Sequence, residues 1–165
     1  MVLSYLILAF LLILLNGFFV LAEFSAVKMR PSRLKEMVDD KVSGAAAAQN
    51  VHEGMDEYLS VCQVGITFAS IGLGFVAEPA IVKLIEPILG LTGWFQEHSS
   101  ATWLSKHGIA FAISYLLVSY LHILIGELVP KTIAIRLTEQ SALWTAKPLQ
   151  FFRLLFYIPL RILNG

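Results

Sequence analysis

The sequence predicts an all-α membrane protein, with three transmembrane helices and further helices on the cytosolic side. Composition is the first reason. Of 165 residues, 57% are hydrophobic and only 15% charged, which is too apolar for a soluble domain of one-domain length. The second is length. Met1 to Ala22, Tyr58 to Ala77 and His107 to Gly126 are uncharged runs of 22, 20 and 20 residues. At about 1.5 Å per residue, each can cross a hydrocarbon layer of about 30 Å. The third is an asymmetry of Lys and Arg. Lys28, Arg30, Arg33, Lys35 and Lys41 follow the first run, and Lys131, Arg136, Lys147, Arg153 and Arg161 follow the third. Only Lys83 and Lys106 follow the second. Basic loops stay cytosolic, so the N-terminus is expected outside, the 28–57 segment and the C-terminus inside, and 78–106 external.

Composition also excludes. The 12 basic and 12 acidic residues cancel, leaving no electrostatic footprint for nucleic acid. Cys62 is alone in an apolar run, which suits a small core thiol and rules out a disulfide framework or thiolate cluster. The first run lacks a basic leader, and Asn16, Glu23 and the basic cluster beyond suit a retained helix better than a cleaved signal.

Taken in order, spans are expected at about residues 3–29, 58–77 and 107–129, within a transmembrane domain of 1–137. Pro31 biases Arg30 away from helical angles and should break the first helix there. Asn16 and Glu23 lie seven apart on one face, whereas Ser25 is about 200° round from Glu23. Ala22 and Ala26 permit close helix approach. In 32–57, Ser32 followed by Lys35 and Glu36 reads as a capping start, and Ala45 to Ala48 favours helix. A cytosolic helix running without a stop into the second span is expected. In that span Gly65/Ala69 and Ser70/Gly74 are spaced by four, which favours a packed seam; the other reading has Ser70 present its hydroxyl to an ion. Pro79 and Pro87 punctuate the external side, where Leu84 to Leu89 is read as a short interfacial helix. Trp94, Phe95 and Trp103 suit a headgroup belt, and His98 and His107 suit the surface. His122 reads as a polar packing residue of the third span.

The tail, 138–165, is expected to form juxtamembrane amphipathic helices that do not span. Lys147, Gln150, Arg153, Tyr157 and Arg161 make one basic stripe for the headgroups, and Pro148 and Pro159 should divide the segment, splitting it near Lys147-Pro148.

Gly126-Glu127-Leu128-Val129-Pro130-Lys131 closes the third run. Glu127 is either a solvated carboxylate at the interface or a group held at membrane depth, where a charge signals function. Pro130 has no N–H for the carbonyl four residues back, that of Gly126. Bare backbone oxygen is tolerated at that depth only when buried in protein or lining a cavity. The other polar groups in the spans are nearly all oxygen donors, which suit hard cations, and Mg²⁺ takes six near 2.1 Å. Ser25, Ser70 and the Gly126/Glu127 turn are therefore the candidate ligands of a cytosol-facing cavity. Pro130 frees the Gly126 carbonyl, while Glu23 and Asn16 support the site. No HExxH, paired intramembrane Asp or base-activated nucleophile stands in the sequence, which argues against an enzyme.

Three stretches carry a resemblance. Asn16-Gly17-Phe18-Phe19-Val20-Leu21-Ala22-Glu23-Phe24-Ser25 with Lys28-Met29-Arg30, Thr67 to Gly74, and Ile125 to Lys131 resemble, in order, the transmembrane signatures of the CNNM/CorC family. The resemblance implies a homodimer of three-helix protomers in the cell membrane. It also implies Mg²⁺ export driven by Na⁺, and a cytosolic CBS module that this chain lacks. The alternative is a non-transporting dimeric module that senses Mg²⁺ and regulates another transporter.

Overall fold

The computed structural model describes residues 2–91 and 100–157. Among them every regular element is helical, and three helical stretches are long and apolar enough to span: Val2–Lys28, Met55–Ile85 and Gly108–Arg136.

The first span is α1 (Val2–Lys28). It ends where Pro31 predicts, with Arg30 extended at φ −79° and ψ 127°. Pro31 then opens α2 (Pro31–Asp39) at its first helical position, where a missing N–H costs nothing. Arg30, not Ser32, is thus the N-cap, and no side chain caps the helix. The expected unbroken run through 32–57 is also corrected. Lys41 and Gly44 take positive φ, 56° and 89°, turning the chain into α3 (Ala45–Glu53), and Gly54 separates α3 from α4 (Met55–Leu91). A side chain at Gly44 would be strained twice over, since a Cβ there would lie 2.9 Å from the Leu143 carbonyl.

Helix α4 carries the second span and continues to Leu91 with Pro79 and Pro87 inside it. Leu84 to Leu89 is therefore the end of that helix, not a separate interfacial one. The third span begins as α5 (Ser100–Leu121), widens into a π-helical turn (His122–Leu128) and resumes as α6 (Val129–Arg136). Among the described residues the tail is one helix, α7 (Thr138–Leu155), which passes through Pro148 without splitting. Trp94, Phe95, His98, Pro159 and Arg161 lie outside the described residues, as do the side chains of Trp103 and His107.

Helix α1 is the axis of the fold, packing on α4, α6, α7 and the π turn. Gly65 shows why it lies so close to α4: a Cβ there would sit 2.4 Å from the Phe19 ring, which is wholly buried. The small-residue seam is real at Gly65 and Ala69, whereas Gly74 has open space beside it. Cys62 is a buried thiol of the same core. Phe19 also meets Phe152 of α7 with centroids 4.8 Å apart. Helix α7 thus belongs to the protein core as much as to the membrane surface. Gln150 donates to the Ala47 carbonyl of α3 at 3.2 Å, and Arg153 pairs with Glu57 at 2.7 Å. Two members of the basic stripe are thereby committed within the chain instead of to headgroups. The carboxylate of Glu57 raises the Arg153 pKa above its ordinary value. Phe68, Ile71, Phe75, Phe111 and Leu116 turn outward, as a lipid-facing surface requires.

A polar cluster where three spans meet

The π turn follows from the sequence. Pro130 cannot donate to Gly126, and the ring opens the turn beneath it. The ladder recovers by reaching one residue further, with the Val129 N–H donating to Leu124, five back. The Gly126 carbonyl, left over, accepts from Asn16 Nδ2 of α1 at 2.9 Å. A carbonyl that sequence reasoning expected to be free for an ion is thus met by a side-chain amide.

Asn16 is 2% exposed and joins all three spans. Its Oδ1 accepts from Ser70 Oγ of α4 at 3.3 Å, and Ser70 Oγ lies 3.5 Å from His122 Nε2 at the start of the π turn. Two glycines permit the approach. A Cβ on Gly17 would stand 3.1 Å from Pro130 Cγ, and one on Gly126 would stand 3.0 Å from His122 Cδ2 and 3.2 Å from Asn16 Nδ2. Beside Ser70 and His122 a cavity of about 310 Å³ opens between α4 and α5, walled by Phe111 and Tyr115 and bordered by Ser119.

A second group lies one step further along the helix. Glu127 is half-buried and pairs with Lys131. The Lys131 ammonium also stands 4.9 Å from the centroid of Phe24 and is within electrostatic reach of Glu23. Glu127 therefore sits beside the Asn16 cluster with its charge balanced by a lysine of its own helix. Glu23 is half-buried.

Ser25 stands apart. Its hydroxyl is fully buried and donates to Ala22 of its own helix at 3.1 Å. It lies nine residues along α1 from Asn16, about 13.5 Å at the helical rise. The structure thus brings Asn16, Ser70, Gly126 and Glu127 together with Pro130 behind them, and sets Ser25 in the α1 core. Lys131 is the residue that sequence reasoning missed, and His122, read there as a polar packing residue, joins the cluster. Each had a signal: an imidazole in an uncharged run one turn before Gly126, and a lysine four residues after a membrane carboxylate.

Three spans packed around an Asn–Ser–His cluster, with Asn16 buried and Ser70 and His122 half-buried, define a multi-pass membrane protein with a polar site between its spans. The chain belongs to the CNNM family: the Cyclin M transmembrane N-terminal domain matches residues 7–165. This is a transporter-like membrane family. The chain is 37% identical over 165 residues to UPF0053 protein YugS of Bacillus subtilis, covering 100% of this chain and 37% of that protein. It is 42% identical over 160 residues to YhdT of the same organism, covering 97% and 33%. An uncharacterized protein of Mycobacterium tuberculosis, Rv1841c, is 36% identical over 147 residues, covering 89% and 39%. The chain thus spans between a third and two fifths of the length of these relatives.

Proposed function

We propose that this chain is the membrane domain of a secondary transporter that exports Mg²⁺ in exchange for Na⁺, working as a homodimer in the cell membrane. The observation that carries the reading is the Asn16–Gly126 contact inside the π turn. It gathers the oxygens of Asn16, Ser70 and Gly126 from three helices, with Glu127 next in the chain, and oxygen is what a hard cation takes. An ion using the Gly126 carbonyl displaces the Asn16 N–H, and a half-turn of that amide offers Oδ1 in its place. Glu127 supplies the negative charge, released from Lys131 as the cation arrives. Glu23 serves Na⁺ or the dimer contact. The greater length of the relatives leaves room for the cytosolic CBS module that the resemblance implies.

Glu127→Gln keeps an oxygen and removes the charge. Calorimetry in detergent is expected to show at least a tenfold loss of Mg²⁺ affinity, about 1.4 kcal/mol, in a protein with wild-type circular dichroism. Wild-type affinity would place the ion elsewhere. Flux in sealed vesicles separates the transporter from the alternative: Mg²⁺ binding with no flux under any Na⁺ gradient would identify a sensor.

Orientation has its own test, motivated by the lysine and arginine asymmetry. In a Cys62→Ser background, cysteines at Ser43 and Ser99 are expected to react with an impermeant maleimide from opposite sides of intact cells. External labelling of both would overturn the three-span topology.

A further inference from the structure

On the same side as the ends of α1 and α6, a cavity of about 410 Å³ lies between the end of α1, the start of α2 and the start of α7. Its border is polar and charged: Lys28 at the end of α1, Arg30 after it, Ser32, Arg33 and Glu36 from α2, and Glu139 from α7. The two carboxylates do not make it acidic. Arg33 holds both, at 3.0 Å from Glu36 and 3.1 Å from Glu139, and this pairing raises the pKa of its guanidinium. Lys28 and Arg30 are exposed, and among the described residues neither has an acidic partner. The charged lining therefore sums to one net positive charge, with Lys28 and Arg30 outside the ion pairs, and the Ser32 hydroxyl can donate into the cavity.

Depth selects the ligand. Lys28 is the last residue of the first spanning helix, and Thr138 at the cavity's edge comes two residues after the end of the third. Their neighbours Val27 and Leu137 are exposed apolar side chains, 61% and 49% accessible, as lipid-facing positions are. A pocket at this level meets headgroups, and a basic pocket between membrane helices meets their phosphates.

We propose that this cavity is a binding site for the phosphate headgroup of an anionic lipid, held by Lys28, Arg30 and Ser32, with the Glu139–Arg33–Glu36 bridge as its far wall. The bound lipid joins the first span to α2 and α7. The inference is independent of which ion the membrane cluster carries.

Thermal unfolding in nanodiscs tests it. With phosphatidylglycerol added to phosphatidylcholine, the wild type is expected to gain about 3 °C or more. Lys28→Gln/Arg30→Gln should lose most of that gain, while Lys147→Gln, which removes an exposed charge of α7 outside the cavity, should keep it. Ser32→Asp places a carboxylate at the cavity mouth while leaving an acid favourable to a helix start, so it decides the matter if the double variant does not fold. It too should lose the gain. Inorganic phosphate added to pure phosphatidylcholine discs should not reproduce it. The proposal is overturned if the cavity variants respond as wild type does, if Lys147→Gln loses as much as they do, or if free phosphate stabilises equally.

Discussion

Asn16→Ala is expected to remove Mg²⁺ binding and to destabilise the protein at once. The first effect follows from losing one ligand and the partner that holds the Gly126 carbonyl in place. The second follows from burial. The carbonyl keeps no donor in a region without water, and an unmet buried acceptor costs about 1–3 kcal/mol. Ser70 also loses its acceptor and is left with His122. Asn16→Asp separates the two roles. It cannot donate to the carbonyl, so two acceptors face each other, and a cation between them relieves the conflict. That variant should be less stable than wild type without Mg²⁺ and should gain more on adding it. Denaturation with and without Mg²⁺, together with calorimetry, reads both effects. A stable Asn16→Ala that binds Mg²⁺ normally would sink the site.

Gly65→Val should be the most damaging change away from the site. The first added carbon falls 2.4 Å from a Phe19 ring that cannot retreat, since Phe18 and Phe152 lie against it. Overpacking of this kind costs about 1–3 kcal/mol, and here it pries α1 from α4, the contact on which the other helices depend. Gly74→Ala on the same helix is the matched comparison. Nothing stands within 4 Å of the added carbon, so the helix preference of alanine should leave stability unchanged or slightly raised. Equal losses in the two variants, measured by unfolding in detergent, would mean that the Phe19 contact does not control the result.

Much of the fold was legible because membrane spans are written as length and charge. The three apolar runs, the break before Pro31 and the disturbance at Pro130 are each local effects of a few neighbouring residues. What stayed hidden depends on which faces meet. Asn16 looked like a supporting residue because nothing in the sequence says that its amide points at Gly126. The sequence also does not show that the Ser25 hydroxyl donates to the nearby carbonyl of Ala22, a bond that serines in helices often make. The tail read as a headgroup belt because its stripe is basic, but Glu57 and the Ala47 carbonyl lie far away in sequence. Pro148 was read as a divider, yet a helix tolerates the lost hydrogen bond when neighbouring elements hold it from both sides.

The widened turn in the third span also sets a phase. In an unbroken α-helix, residues five apart point about 140° away from each other. In a π turn the bond reaches five residues, so His122 and Glu127 fall toward the same side of the helix. Every side chain from Val129 to Arg136 inherits the offset, which is why Lys131 reaches Phe24. The third span is in effect two screws of one pitch joined out of step, with a surplus residue at the joint. Passing that surplus one place along the helix would turn a new side chain toward Asn16 while the two rods stay almost where they are.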